Sequence, residues 1–380
     1  MNDMNGKHGI VCIGLLMMLS SCHTSKQITA SGLQRKDFQT EVNGQHTDLF
    51  TLSNKKGMEV CITNYGARVV SILVPDRNGK REDVVCGFPT IGEYMEQRQN
   101  FGSTVGRYIG RILNARFTLD GVEYKLIPNN GKSGHISHGG NPGFADRIWK
   151  VEQADTHTVR LSYLSPDGEN GFPGNLKVTL VYRLGENDNV LDLKYEATTD
   201  APTVLNLSHH SFFNISGDFT KSVEDQQLWV DADRFTPYDD KKCVTGKYLP
   251  VAGTPLDFRM PHTIGEHIDA DYPQLKVVNG YDHTWELNTK GDDTKPAAWV
   301  YDPASGRKME IFTTEPGIQI YTGNGLKGKM TGKGGVAYPF RSAVCFETMH
   351  FQDSPNQPGF PSTVLRPGEV FRSHTVYKFE

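Results

Sequence analysis

Two adjacent histidines are the first candidates for proton chemistry in this 380-residue chain. His209 and His210 lie within Asn206–Gly217, a run of β-forming and aromatic residues that ends in glycine. In an extended segment neighbouring side chains point to opposite faces, so one imidazole would face a cavity or core and the other would face away. An imidazole with its usual pKa of about 6.5 can donate a proton near neutral pH. The alternative is that His209 and His210 are structural residues held by hydrogen bonds.

A carboxylate in an apolar strand is the second candidate. Glu347 lies within Ala343–Thr348, whose other residues are mostly apolar. An ionised glutamate is costly to bury without a partner. Glu347 is therefore either a functional residue or a side chain on the solvent face of its strand.

A glycine-rich segment carries two arginines, Arg107 and Arg111, beside Gly106 and Gly110. Glycine allows close backbone approach. If the segment is extended, both arginines lie on one face and could point into the same cleft. Two surface arginines are the simpler alternative.

Two further segments have residue types that suit polar recognition. His138 lies in the glycine-rich run 137–144, which has the composition of a loop. Asp282 follows Tyr281, an aromatic residue beside a carboxylate, which is a common pairing for sugar hydroxyls and also a common turn. Loops on rigid scaffolds often carry function, but each segment alone could be structural.

Short strands must position these residues, because long amphipathic patterns are almost absent. Alternating runs bounded by Gly, Asn, Asp and Pro predict an all-β fold, an antiparallel sandwich or barrel in one domain. The clearest hairpin is 115–126, which turns at Asp120-Gly121. Short helices are predicted at 91–97 and near 261–268. The other predicted strands are 58–63, 68–74, 158–164, 176–183, 190–197, 203–207, 308–313, 318–322, 343–347 and 374–379.

The N-terminus has the pattern of an export signal. An apolar run of ten residues from Ile10 to Leu19 is too short for a permanent membrane span and is followed by Leu-Ser-Ser-Cys ending at Cys22. This resembles a bacterial lipobox, which predicts a signal peptide at 1–21, lipidation of Cys22, a tether at 22–37 and a folded domain at 38–380. The protein would then be anchored in the cell envelope by lipid alone, facing the periplasm if its source is Gram-negative.

Composition excludes some classes of partner. The net charge of −4 and a pI of about 6.4 provide no basic surface for nucleic acid or an anionic membrane. Four cysteines remain after Cys12 and Cys22, and their scattered positions show no metal-ligand spacing. They could form disulfides or remain buried thiols.

Taken in order, these segments resemble the aldose 1-epimerase (galactose mutarotase) family over nearly the whole predicted domain. The matching motifs are Asn64–Ala67, Val74–Gly79, Asp83–Phe88, Val105–Ile112, Ser137–Phe144, Gly171–Asn175, Asn206–Gly217, Gly280–His283, Pro316–Gln319, Phe346–Thr348 and Leu365–Glu369.

The resemblance implies a large antiparallel β-sandwich of the galactose mutarotase type with an open sugar cleft. It implies interconversion of the α and β anomers of free aldoses, such as glucose and galactose, with no required cofactor. A base takes the proton of the C1 hydroxyl while an acid protonates the ring oxygen, and we expect the two groups on opposite sides of the sugar. A monomer that binds a monosaccharide is expected. A bound Ca²⁺ is left open, since such sites leave little trace in sequence.

By matching motif, Glu347 resembles the base and His210 the acid, while His138 resembles a second histidine near the ring oxygen. His209 occupies a position where the family commonly has asparagine. The resemblance gives hydroxyl-binding roles to Arg111, Asp282 and Gln319, a cleft-wall role to Phe212 and a structural role to Arg107.

Two departures affect the preferred sugar. Gly110 lies at a substrate-binding position of the family, where it replaces the usual asparagine before the second arginine and so removes one hydroxyl contact. Met349 replaces a glutamine that often follows the Glu-Thr pair.

Three alternatives remain from the residues. A glycoside hydrolase on a similar sandwich would use Glu347 and Asp282 as its two carboxylates. A binding module could have kept the fold without catalysis. A phosphosugar epimerase would need more cations than Arg111 supplies.

Overall fold

The computed structural model of the protein describes residues 27–380. Antiparallel strands dominate this part of the chain, with two short α-helices, α1 (Ile91–Gln97) and α2 (Pro273–Val278). Short 3-10 turns lie at Arg35–Phe38, Leu113–Ala115, Gly131–Ser133, Phe144–Asp146, Glu169–Gly171, Lys333–Gly335 and Ser354–Asn356.

The strands are numbered in chain order. Those of the N-terminal half are β1 (Glu41–Val42), β2 (Gln45–His46), β3 (Leu49–Ser53), β4 (Glu59–Thr63), β5 (Arg68–Pro75), β6 (Arg81–Asp83), β7 (Ser103–Val105), β8 (Arg111–Ile112), β9 (Arg116–Leu119), β10 (Val122–Lys125), β11 (Ile136–Ser137), β12 (Lys150–Ala154), β13 (Thr158–Ser165), β14 (Leu176–Leu184) and β15 (Val190–Thr199). Those of the C-terminal half are β16 (Thr203–Val204), β17 (Ser208–His210), β18 (Phe212–Phe213), β19 (Gln227–Val230), β20 (Arg234–Thr236), β21 (Leu249–Pro250), β22 (His262–Thr263), β23 (Asp282–Glu286), β24 (Ala298–Tyr301), β25 (Lys308–Thr313), β26 (Gly317–Tyr321), β27 (Val344–Met349), β28 (Val364–Leu365) and β29 (Phe371–Phe379).

Three sheets form the sandwich. The largest has nine strands in the order β12-β13-β14-β15-β29-β25-β24-β19-β22. A six-stranded sheet, β18-β27-β26-β23-β20-β21, and a four-stranded sheet, β3-β4-β5-β6, share one hydrophobic core with it. The predicted all-β antiparallel sandwich is therefore confirmed.

Alternation of side chains explains how the sheets pack. In β14, Leu176, Val178, Leu180 and Tyr182 are buried, while the residues between them are more exposed. Burying one face of each strand removes apolar surface from water, which is the main stabilising term of such a fold. Strands β26 and β27 are buried on both faces, because one face meets the core and the other forms the floor of a cleft.

The predicted short helix at 91–97 is confirmed as α1. The Thr90 hydroxyl accepts a hydrogen bond from the Glu93 amide, so a side chain satisfies one of the free donors at the helix start. The predicted hairpin at 115–126 is also confirmed, with β9 and β10 paired across Asp120-Gly121.

The helix predicted near 261–268 is wrong. This segment instead contains β22, which pairs with β19 at the edge of the nine-stranded sheet through Gln227 and Thr263. Backbone pairing to a neighbouring sheet outweighs local helix propensity here.

Residues just before the sandwich pack against it. Leu33 and Phe38 are buried, and the Ala30 amide donates to Glu59 Oε1 at 2.7 Å. Leu33, within the predicted tether, therefore packs beside the four-stranded sheet together with Phe38. The predicted signal peptide, Cys22 and the start of the tether lie outside the described residues.

The state of the cysteines and the presence of membrane-spanning helices can be read from the described part of the chain. Cys61, Cys86, Cys243 and Cys345 are all free thiols, and Cys243 alone among these four is partly exposed. Across residues 27–380, none of the helices combines the length and the apolar character that a bilayer crossing requires.

Candidate active site

The floor of the cleft is the outer face of the six-stranded sheet. Strand register places Gln319 of β26 beside Glu347 of β27, and Asp282 lies one strand further on β23. Their neighbours Ile318 and Phe346 point the other way, into the core. Strand alternation thus puts the polar side chains on one face of the sheet.

His210 and Glu347 form the closest pair of titratable groups in the cleft. His210 Nε2 lies 3.4 Å from Glu347 Oε1, and both side chains are buried. Strand β17 holds His210 by pairing with β7, while the Phe212 ring stacks on the imidazole with 5.1 Å between ring centroids. The two groups therefore lie side by side, which corrects the prediction that they flank the sugar from opposite sides.

Burial sets the protonation of this pair. It raises the pKa of Glu347 well above its usual range, and the nearby Asp282 carboxylate adds to the effect. Burial also lowers the pKa of His210 well below 6.5, with a further contribution from His138. Both shifts favour neutral groups, because a low-dielectric site penalises charge. The Arg111 guanidinium acts in the opposite direction on Glu347 and lowers its pKa.

His138 comes from the glycine-rich loop and approaches His210. Their ring centroids are 5.4 Å apart. The His138 amide donates to Gly110 O at 2.9 Å, and its φ of +52° lies in the left-handed region. Next to it, a Cβ on Gly139 would lie 1.9 Å from Gly106 O, so only glycine permits this close approach. Burial lowers the pKa of His138 to about 4, which leaves the ring neutral at pH 7.

The two arginines of the glycine-rich segment diverge. Arg111, at the start of β8, lines the cleft, whereas Arg107 is buried and donates to Ser165 Oγ and Pro173 O at 2.9 and 2.7 Å. The expectation that both share one face of an extended strand is wrong, since Gly110, with φ of +75°, interrupts the strand between them.

The adjacent histidines behave as the alternation of an extended strand predicts. His210 faces the cleft, while His209 faces the core and its Nε2 lies 2.6 Å from Ser211 Oγ. Burial lowers the pKa of His209 to about 3. His209 is therefore a neutral, hydrogen-bonded core residue.

All eight residues predicted for catalysis or sugar binding line this one cleft. They are Gly110, Arg111, His138, His210, Phe212, Asp282, Gln319 and Glu347. The space between them has a volume of about 250 Å³ and is partly open to solvent.

Several lining residues were not predicted from the sequence. These are Gln99, Asn100, Ser137, Tyr321 and Gln352, while Met349 was noted only as a departure. Strand alternation could have found Tyr321, which is two residues from Gln319 on β26. Gln352 follows β27 in an irregular segment, and no pattern in the sequence marks it.

One cluster among residues 27–380 has the donor atoms for a metal ion. The ligand atoms of His210, Cys345 and Glu347 lie within 4.8 Å of one another. Nitrogen, sulfur and a single carboxylate suit zinc better than calcium, which prefers six to eight oxygens. This cluster therefore does not have the oxygen ligands that a Ca²⁺ site needs.

The geometry as a whole suits proton transfer to and from a small polar molecule. A buried carboxyl and an imidazole share one end of the cleft, and hydrogen-bonding side chains line the rest. Such an arrangement is typical of enzymes that use general acid–base catalysis.

Comparison with known proteins narrows this class. The sequence profile of the family described as "Aldose 1-epimerase" matches residues 48–378. A galactose mutarotase from Sus scrofa is 38% identical over 322 residues, which cover 85% of this chain and 91% of that protein. An aldose 1-epimerase from Escherichia coli K12 is 36% identical over 339 residues, with coverage of 89% and 96%.

Solved structures agree with the sequence comparison. An aldose epimerase homologue from C. elegans matches with a TM-score of 0.81 at 30% identity, covering 88% of this chain and 99% of that one. A galactose 1-epimerase from Lactobacillus acidophilus matches with a TM-score of 0.78 at 28% identity, covering 90% and 97%. The chain belongs to the aldose 1-epimerase family and is an isomerase.

Proposed function

We propose that this protein interconverts the α and β anomers of free aldoses such as glucose and galactose, with Glu347 as the base and His210 as the acid. The observation that carries the assignment is the 3.4 Å contact between His210 Nε2 and Glu347 Oε1 at the buried end of the cleft. The C1 hydroxyl and the ring oxygen are bonded to the same carbon, so two adjacent groups can serve both.

The proposed reaction balances within the pair. Glu347 takes the proton of the C1 hydroxyl, the bond between C1 and the ring oxygen breaks, and His210 gives its proton to that oxygen. This step gives the open-chain aldehyde as an intermediate. Rotation about the bond from C1 to C2 presents the other face, and closure reverses both transfers. Burial favours a protonated Glu347 and a neutral His210 at rest. The proton must therefore move from Glu347 to His210 before the reaction, and Arg111 favours the carboxylate that results.

The other cleft residues have supporting roles in this proposal. His138 hydrogen-bonds the sugar near its ring oxygen, and its neutral ring adds no charge beside His210. Arg111, Asp282 and Gln319 bind hydroxyls. Phe212 fixes the plane of the His210 ring by stacking on it.

Polarimetry tests the proposed activity. Fresh α-glucose and α-galactose are followed separately with the purified domain from residue 23 onward, each against a control without protein. Faster approach to the same final rotation is expected for at least one sugar. An unchanged rate with both sugars would contradict the proposed function, and the ratio of the two rates would report the preferred hexose.

We also propose that no metal or organic cofactor is required and that the protein acts as a monomer. The acid–base pair supplies both proton transfers, which supports the first statement. Anomer exchange that survives dialysis against EDTA is the expected result. Loss of activity that returns with added Zn²⁺ would indicate that His210, Cys345 and Glu347 hold a functional ion.

Localisation is a separate proposal, and it is supported by the sequence alone. The apolar run 10–19 followed by Leu-Ser-Ser-Cys favours export and lipidation at Cys22. The full chain should partition into detergent with the membrane fraction. A Cys22→Ala variant that partitioned in the same way would contradict lipid anchoring at this residue.

A further inference from the structure

Two residues far apart in sequence compete for one place in the cleft wall. Gly110 has φ of +75°, and a Cβ added to it would lie 2.5 Å from Gln352 Cγ. The Gln352 side chain thus fills the space that a side chain at position 110 would need. The absence of a side chain at 110 is what allows Gln352 to reach the cleft.

The Gln352 carboxamide is buried and has a defined orientation. Its Oε1 accepts from the Arg111 amide at 3.3 Å, and its Nε2 donates to Tyr238 OH at 2.7 Å. A longer bond of 3.4 Å runs from Nε2 to Gln319 Oε1. A backbone N–H can only donate, so the contact with Arg111 settles which end of the amide is oxygen.

These contacts link Gln352 to the proposed hydroxyl-binding residues. Gln319 Oε1 also accepts from Thr284 Oγ1, and Gln319 Nε2 donates to Asp282 Oδ1 at 2.6 Å. A continuous chain of hydrogen bonds therefore runs from the Arg111 backbone through Gln352 and Gln319 to Asp282. Movement of Gln352 would change the donors and acceptors offered along this wall.

Counting the hydrogen-bonding capacity shows what remains for a ligand. Within residues 27–380, both N–H groups of Gln352 and both lone pairs of Gln319 Oε1 have protein partners. One lone pair of Gln352 Oε1 is left over, while the Gln319 carboxamide has a further hydrogen-bonding contact with the Tyr238 hydroxyl. A free acceptor on the cleft wall can take a hydrogen bond from a sugar hydroxyl.

We propose that Gln352 is a specificity-determining residue, which binds a sugar hydroxyl and sets the orientation of Gln319 and Asp282. It takes the place of a side-chain amide at position 110. This inference rests on the proposed function and adds the residue that discriminates between hexoses with different hydroxyl configurations.

The test is a double-mutant cycle that moves the amide from one position to the other. Gln352→Ala removes it, Gly110→Asn introduces an amide that collides with Gln352, and the double variant has the amide at 110 with the space cleared. Asparagine tolerates the left-handed φ at 110. Values of kcat and KM are measured with glucose and with galactose, together with the melting temperature.

The proposal predicts changes in KM more than in kcat. For Gln352→Ala, loss of the hydrogen bond should lower kcat/KM about tenfold for at least one hexose and change the glucose-to-galactose ratio about fivefold. Gly110→Asn should also lower kcat/KM. The double variant should recover to within about threefold of the wild type for the better hexose.

Two results would overturn the proposal. One is an equal loss for both hexoses in Gln352→Ala, which would indicate general disruption. The other is a double variant no more active than Gln352→Ala. Gln352→Glu provides a nearly isosteric check, because it keeps an acceptor for the Arg111 amide but lacks both N–H donors, and it should also change the ratio.

Controls separate this inference from the proposed function. Gln153→Ala, on the exposed face of β12, should match the wild type in every measurement. If the wild type itself fails to interconvert anomers, the proposed function fails. If the wild type is active and the glucose-to-galactose ratio is the same in all variants, only the role of Gln352 fails.

Discussion

At the scale of single residues, the site depends on how burial controls protonation. His209 and His210 are neighbours, yet one is a core residue and the other faces Glu347. Their backbone alternation was predictable from the sequence, but the choice of member depended on the resemblance to a family. The structure supplies the physical reason, because only His210 lies within reach of a carboxylate in the cleft.

His209 should affect stability in acid without affecting catalysis. The unfolded chain takes up a proton on this residue below about pH 6.5, whereas the folded protein resists until about pH 3. Folding stability is therefore lost as the pH falls from 6.5, by up to roughly 1.4 kcal/mol per pH unit for this group. His209→Asn should remove this component and keep near wild-type anomer exchange at pH 7.

Urea unfolding at pH 7 and at pH 4.5 measures the effect of His209→Asn. The variant should lose less stability between the two pH values than the wild type does. The comparison of slopes is independent of any packing defect that shortening the side chain creates at both pH values. Equal losses in the two proteins would mean that His209 takes up its proton as readily in the folded protein as in the unfolded chain.

Some residues of the cleft could be predicted from the sequence and others could not. His138, His210 and Glu347 could be predicted because their segments, taken together, resemble a known family, although each residue alone could have been structural. Gln352 could not, since a glutamine after a strand has no distinctive pattern. Its position depends on the space left by Gly110, and that relation between distant residues exists only in the folded chain.

At the scale of elements, the segment from Gly106 to Arg111 carries one arginine that stabilises the fold and one that lines the cleft. Arg107 is buried and donates to the backbone oxygens of Pro173, Ser165 and Pro166. Arg111 instead reaches the cleft from the start of β8. The guanidinium of Arg107 therefore ties the segment between β7 and β8 to the end of β13 and the loop that follows it.

Arg107→Met should destabilise the fold while Arg111→Met should weaken sugar binding. Loss of the guanidinium leaves several buried carbonyls without a donor, which costs about 3 kcal/mol or more in unfolding free energy. Arg111→Met should change unfolding free energy by less than about 1 kcal/mol but raise KM. Urea titration and anomerisation kinetics on both variants distinguish the roles, and a reversed pattern would contradict them.

The elements themselves were largely predictable from local pattern. The hairpin β9–β10 and helix α1 matched because turn and cap residues mark them in the sequence. The error at 261–268 arose because β22 is defined by its pairing with β19, which no local signal reveals. Strand order within each sheet was likewise beyond the sequence pattern.

At the scale of the whole molecule, the last strand completes the largest sheet. β29 lies between β15 and β25 in the middle of the nine strands, although it comes from the end of the chain. Removing it would deprive β15 and β25 of one partner each and open the core that all three sheets share.

Deletion of 371–380 should therefore prevent folding. Each lost ladder leaves backbone donors and acceptors unpaired at the centre of the sandwich, which is costly away from water. The domain from residue 23 onward is the reference for this comparison. Circular dichroism and gel filtration measure both. A compact, cooperative protein without β29 would contradict this account of the fold.

The central claim is that Glu347 acts as the base, and the anomer exchange rate of Glu347→Gln tests it most directly. Glutamine preserves the size of the side chain and removes its ability to accept a proton, so exchange should fall by roughly 10²–10⁴-fold. The rate is measured by exchange NMR at anomeric equilibrium, beside the wild type and the exposed control Glu123→Gln. A rate within a few fold of the wild type would contradict the assignment of Glu347 as the base.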